Sequence, residues 1–403
     1  MNWKPRPALL ESDLPRKAGD TPMTYRRLDI RLPAPAPGVQ LTLLAHQFGN
    51  RSNARSAYLH AGLHADEHPG LLVLQHLLEK LRQLDAAGAI DGLVTVVPYA
   101  NPMGMSQRLF GAVAGRFDFE NGENFNRNFP LLDQQVAAYL AEAPDRAMLP
   151  EQWRILFAGM LGQAAATSPS QALKHELAKL AIAHDIVLDL HCDTDCIAHV
   201  YASELQAERA TRLAGLMGSP VAMLEPREAG GGAFDQVHSS AWGTVQAAGL
   251  LSERDSGFSA TIELRGQTDV TDELAAADAS NLLRFLESEG VLTAESPATL
   301  KMTNQSVEVF PLDGASHVSC PCAGVIVYRK APGDQVSVGE VIAEVVLLDG
   351  NGFNQRVPIL STVNGLMIVR QLKKLVRPGE RAALLAGKRS VRDRHAGSLL
   401  LDF

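Results

Sequence analysis

Apolar, strand-like runs alternate with segments of helical period through about residue 290, and this alternation limits the fold more than any other feature of the chain. Strand-like runs stand at 41–44, 57–60, 93–97, 186–190, 221–224 and 261–264, and helical patterns lie near 70–84, 131–142, 151–165, 170–184, 205–217 and 272–289. A chain patterned in this way forms an α/β sheet covered by helices on both faces, because its apolar strands must be buried on both sides. The stretch Ala164–Ser170 reads as a helix break inside that unit, not as a linker. After Ser296-Pro297 the character changes to short strands rich in Val, Ile and Gly. The sequence thus divides into an N-terminal extension (1–24), an α/β domain (25–296) and a C-terminal all-β domain (297–403).

The C-terminal part carries a loose internal repeat. Ala323–Arg329 aligns with Asn364–Arg370, and Pro332-Gly333-Asp334 has an echo in Pro378-Gly379-Glu380. Two strand-and-turn units folded on each other predict a barrel-sandwich-like domain, similar to biotinyl and lipoyl carriers. A carrier must present a lysine at a hairpin tip, and there is none between Val345 and Arg356. The expected roles are therefore to cap the site, to shape its channel or to form an oligomer contact.

Composition narrows the classes. At 403 residues and 46% hydrophobic content the chain can bury two substantial cores. A net charge of −8 argues against nucleic acid, whose binding rests on clustered Lys and Arg. No apolar run reaches the roughly 18 residues of a membrane span, and Met1–Pro7 lacks a signal peptide's apolar core. A cytoplasmic protein with reduced cysteines is expected. A four-thiolate zinc site from Cys192, Cys196, Cys320 and Cys322 is disfavoured, since Cys-x-Cys is tight for that geometry.

Four fragments carry chemistry. His64 and Glu67 lie in Gly62–Gly70 between a strand-like run and a helical one, with Pro69 at the expected first helical turn. His191 closes the apolar run Ile186–Leu190. Two histidines and a carboxylate at the ends of strands can hold zinc and leave a position for water. His64–His68 also matches the His-x-x-Glu-His pattern in which both histidines ligate from one helix, but Pro69-Gly70 argues against helix there. Asn126-Arg127 can grip a carboxylate through charge-assisted bonds. Arg116 or Arg108, between Asn101-Pro102-Met103-Gly104 and that pair, can stabilise an oxyanion, with Arg116 favoured. Glu263, facing away from Ile262 and Leu264 on a strand, can serve as general base and acid. Taken singly, each fragment also has an ordinary structural reading: a satisfied histidine, a polar loop, a salt bridge to Arg265.

In order and spacing the set resembles the zinc metallocarboxypeptidase superfamily, and within it the succinylglutamate desuccinylase/aspartoacylase family. Leu188–Asp193, Gly230–Asp235 and Glu263–Gln267 add to the likeness, which runs over nearly all of residues 25–390. The resemblance implies a mixed-sheet, carboxypeptidase-like catalytic domain with one Zn2+ per chain. It implies removal of a small acetyl- or succinyl-type group from an N-acyl amino acid. By motif match His64, Glu67 and His191 would bind zinc, Asn126 and Arg127 the substrate carboxylate, and Glu263 would be the base. Tyr201 is the nearest counterpart of the tyrosine that carboxypeptidases place over the substrate. The alternatives are a metallocarboxypeptidase acting on short peptides and a non-catalytic module using the β domain for docking.

Overall fold

The computed structural model describes residues 24–50, 54–142, 146–162, 166, 168–227, 231–293, 306–350 and 352–389. The N-terminal extension expected at 1–24 lies, Thr24 apart, outside them. Nine strands form the main sheet: β1 (Arg26–Arg31), β2 (Thr42–Gly49), β3 (Ser56–Ala61), β4 (Leu93–Val97), β5 (Ile186–Asp193), β6 (His199–Ser203), β7 (Val221–Glu225), β8 (Phe258–Gly266) and β9 (Glu308–Pro311). Their order is β1-β2-β4-β3-β5-β8-β6-β7-β9. The central run β4-β3-β5-β8 is parallel, while β2 and β6 flank it antiparallel. The α/β expectation holds, and the sheet is mixed.

Side-chain alternation along the two middle strands fixes where the chemistry can sit. Ile186, Leu188 and Leu190 of β5 and Phe258, Ala260, Ile262 and Leu264 of β8 point into one core, under helices Pro69–Ala86, Ala207–Leu216 and Asp272–Ser288. With a period of two, Asp189, His191, Thr261 and Glu263 face the other side. There a second core gathers Tyr58, Phe125, Trp153, Phe157, Phe234 and Trp242. Two neighbouring strands thus carry their polar residues on the same face at their carboxyl ends.

Helix Pro69–Ala86 starts hard against the sheet. Proline occupies its first turn, where the missing N–H costs nothing. A Cβ on Gly70 would lie 2.9 Å from that of Ala61 and 3.1 Å from that of Leu190, so only glycine lets the helix begin so near β3 and β5. Val73, Leu74, Leu77 and Leu81 then form the buried stripe of this helix, where each full side chain contributes about 1.5–3 kcal/mol. The loop before it is pressed onto the strand ends.

The segment 225–243, outside every helical pattern read from the sequence, contains most of a helix, Phe234–Ala247. Phe234, Val237, Ala241, Trp242 and Val245 are buried along one face of it, a helical period that the preceding glycines obscured. The strands β1, β6 and β9 were also unexpected. Beyond β9, two small sheets stack. One has strand order Ala315–Ser319, Arg381–Gly387, Gly365–Arg370, Gln335–Val336; the other has Arg356–Leu360, Val341–Val346, Gly324–Tyr328, Leu375–Val376. The repeat-related strands Gly324–Tyr328 and Gly365–Arg370 fall in different sheets, and Ile326, Ile342, Val345, Met367 and Leu385 fill the space between.

The two regions interlock. β9, although beyond residue 297, is the edge of the main sheet, held by Phe310 packing with Val221 and Met223. In return, Asp195–Cys196, just past β5, pairs with Gly365–Arg370 of the β module.

Candidate metal centre

His64, Glu67 and His191 offer donor atoms that all lie within 4.8 Å of one another, and all three side chains are buried. Glu67 stands between the rings. One carboxylate oxygen is 2.9 Å from His64 Nδ1, and the other is 2.8 Å from His191 Nδ1 and accepts the Cys192 N–H at 3.0 Å. His64 and Glu67 lie on the loop ahead of helix Pro69–Ala86, while His191 is near the end of β5.

The outer ring nitrogens have acceptors of their own. His64 Nε2 is 2.8 Å from Asn124 Oδ1, an oxygen that also accepts the Asn126 N–H. His191 Nε2 is 2.9 Å from Asp189 Oδ2, and the other Asp189 oxygen meets His60 Nε2 at 2.7 Å. The Asn124 acceptor places the His64 ring proton on Nε2 and leaves its Nδ1 lone pair directed at the centre, the arrangement a metal requires, and the charge of Asp189 beside His191 Nε2 favours the same tautomer there. Two imidazole nitrogens and a carboxylate in a buried cluster fit a divalent ion such as zinc.

Without a cation the charges settle among the residues themselves. Burial opposes charge on His191, but Asp189 and Glu67 outweigh it and hold the imidazole well above its usual range. Burial and Arg116 push His64 down. Glu67, despite burial, is held well below the carboxylate range by His191 and His64.

Glu263 is the direct partner of His191 across β5 and β8 and projects into the same cavity. Burial, reinforced by the charge of Glu67, pushes its carboxyl up to about 8, and Oε2 has no hydrogen-bond partner among the described residues. Arg116 reaches the loop from the side: Nη1 donates to Glu67 Oε1 at 2.9 Å and lies 3.2 Å from His64 Nδ1. Gly115 permits this approach, since a Cβ there would come within 2.4 Å of Ala65 Cβ. Asn126 accepts the Phe234 N–H at 2.8 Å, and Arg127 donates to the Asn126 carbonyl at 2.7 Å; both side chains line the cavity.

A family model described as the succinylglutamate desuccinylase/aspartoacylase catalytic domain matches residues 53–288. The chain belongs to this family, one of deacylases. A curated relative, the N-alpha-acetyl-L-2,4-diaminobutyric acid deacetylase of Halomonas elongata, is 25% identical over 83% of this chain and 83% of its own. Among solved structures, a Shewanella frigidimarina protein described as of the same succinylglutamate desuccinylase/aspartoacylase kind superposes with a TM-score of 0.77 at 24% identity, covering 91% of this chain and 98% of that one. The product-bound ectoine utilization protein of Ruegeria pomeroyi gives 0.63 at 17% identity, covering 93% and 98%. Both structural likenesses are in fold.

Of the residues singled out from the sequence, His64, Glu67, His191, Asn126, Arg127, Arg116 and Glu263 line one cavity of about 80 Å³. Arg108 is not among them: it is exposed on a small hairpin, Arg108–Leu109 against Ala112–Val113, where it reaches the Gly111 carbonyl. The His-x-x-Glu-His reading fails because helix begins at Pro69 and His68 faces solvent. The four cysteines are free, and the metal-capable cluster among the described residues contains none of them. Tyr201 lines the cavity, its hydroxyl 3.2 Å from His199 Nε2.

The sequence reading missed the rest of the wall. His317, Arg381 and Leu384 come from the β module, and Asp193, Glu225 and Asp235 complete the ring. Arg381 donates to both oxygens of Asp193, one bond being 2.8 Å. Nothing in the local sequence around Arg381 marks it, because its significance lies in a partner on another domain.

Proposed function

We propose that the chain is a zinc-dependent amidohydrolase that removes a small N-acyl group, of acetyl type, from an N-acyl amino acid. The observation that carries the reading is one cavity lined by His64, Glu67 and His191 together with Glu263, Arg116, Asn126 and Arg127. Zinc held by the first three would lower the pKa of a water to about 7 and polarise the scissile carbonyl. Glu263 takes a proton from the attacking water and returns it to the leaving amine nitrogen. Arg116 faces the carbonyl oxygen as charge builds on it. Arg127, with Asn126, holds the α-carboxylate.

The acetyl type is favoured over succinyl because the cavity beside the three metal-capable residues is small. The Halomonas relative, a deacetylase by name, supports the same choice. A space of about 80 Å³ suits a small acyl group better than a peptide. The reading includes a cytoplasmic location, supported by the free cysteines. No helix among the described residues is long and apolar enough to cross a membrane.

Amine release from N-acetyl, N-formyl and N-succinyl amino acids, with zinc and after chelation, tests the proposal. Chelator-sensitive release restored by zinc is expected. Release of C-terminal residues from dipeptides, with no action on acyl amino acids, would replace it with a carboxypeptidase.

A further inference from the structure

Among the described residues Lys174 is the one buried lysine, only 3% exposed, and it does not line the metal cavity. It stands on helix Pro169–Ile182 beside Leu173, Leu177 and Ala178, which join Phe125 and Phe129 in one core. An ammonium in such surroundings is unfavourable unless it is paired and hydrogen-bonded. Its Nζ is 2.9 Å from Glu123 Oε1, donates to the Asn124 carbonyl at 3.5 Å and lies over the Phe129 ring, 6.0 Å from the centroid. All three partners belong to the loop that carries Asn126 and Arg127.

The lysine holds both flanks of a turn. The Asn124 carbonyl it meets also accepts the Arg127 N–H at 3.2 Å, and the Asn124 side-chain oxygen accepts the Asn126 N–H at 2.8 Å. Glu123 Oε1, its ion-pair partner, also accepts the side-chain amide of Asn128 at 2.7 Å. One oxygen thus ties the residue before the turn to the residue after it. Asn128 has φ +57°, the left-handed conformation in which the chain reverses. Arg127 reaches the cavity on a long side chain from this turn, so a small tilt of the backbone is magnified at the guanidinium. A displacement of about 1 Å is enough to cost a large factor in binding or rate.

We infer that Lys174 is a positioning residue for the pair Asn126-Arg127: acting through Glu123 and Asn124, it fixes the turn from which Arg127 grips the substrate, and so sets the preference for a free α-carboxylate. The inference rests on the deacylase reading and on Arg127 as the grip of that carboxylate.

A lysine that served stability alone would act on every substrate alike. The full chain, saturated with zinc, is therefore assayed with the acyl amino acid it hydrolyses best and with the carboxamide of that compound. The unaltered chain should prefer the acid. Lys174→Met should raise KM for the acid by roughly 10-fold, with kcat and the hydrolysis of the carboxamide little changed, so that the preference shrinks by the same factor. The double variant Lys174→Met with Glu123→Gln strands no charge and should show the same loss; it decides if the single variant fails to fold in a thermal melt. Asn128→Gly, at an exposed position where glycine keeps the left-handed backbone, should show the loss in smaller measure. An unchanged preference in the folded variants, or an equal fall for acid and carboxamide, overturns the inference and leaves deacylation standing. Equal hydrolysis of acid and carboxamide by the unaltered chain removes Arg127 as the grip and the inference with it. Hydrolysis of no acyl amino acid overturns the deacylase reading as well.

Discussion

Glu263 and His191 are register partners across two parallel strands, and their side chains leave the sheet on the same face. The proposed base is therefore placed by the pairing that also places a proposed zinc ligand. Replacing Glu263 by Gln keeps the shape and removes the proton acceptor. Turnover should fall by about 10²–10⁴-fold while metal analysis still finds one zinc per chain. Near-normal turnover would remove Glu263 from the mechanism.

Asp189 orients His191 through Nε2 while its other oxygen meets His60. Asp189→Asn should weaken zinc affinity by about 10–100-fold, measured by competition with a chromophoric chelator. Affinity equal to that of the unaltered chain would show that the ring needs no such partner.

Arg127 should be read in KM. Arg127→Ala is expected to raise KM for substrates with a free α-carboxylate by roughly 10- to 100-fold and to leave the corresponding carboxamides, already poor, little changed. A loss confined to kcat would point to a different role.

Acid should destabilise the fold through two histidines that stay neutral inside it. Burial lowers His238 to about 3 and His199 to about 4. Below about 6.5 the unfolded chain takes up protons that the folded chain refuses, so stability is present above that pH and falls as pH drops toward 4 and 3. Each group contributes a slope of up to about 1.4 kcal/mol per pH unit. Urea midpoints of the chelated protein between pH 7 and 4 should show the decline, and His238→Gln should flatten it relative to the unaltered chain.

Arg381 and Asp193 form a mostly buried pair, with side chains 14% and 16% exposed. Arg381→Ala strands the Asp193 charge and should cost about 3–5 kcal/mol by urea unfolding. The double replacement Arg381→Ala with Asp193→Ala should recover part of that loss, because no charge is left uncompensated.

Much of the site was legible because its residues sit where local pattern is strongest. His191 and Glu263 end apolar strands, and a period of two decides which face each takes; His64 and Glu67 precede a helix whose start Pro69 announces. Arg116 was favoured over Arg108 without a local reason, which the structure supplies, since Gly115 lets the segment of Arg116 pack against Ala65. Helix Phe234–Ala247 was hidden by the glycines before it. Arg381, Glu225 and Asp235 escaped for another reason: each gains meaning from residues far along the chain, and no window of sequence contains both members of the relation.

The short strand Asp195–Cys196, a few residues beyond His191, is paired with a strand that begins at Gly365. The Arg370–Asp195 contact spans 175 residues and the Arg381–Asp193 contact 188. During synthesis, the α/β sheet can gather its three metal-capable side chains long before the wall that encloses them has been made. Closure of the cavity thus waits for residues made after the side chains it encloses, and a chain stopped short of Arg381 would lack that part of the wall.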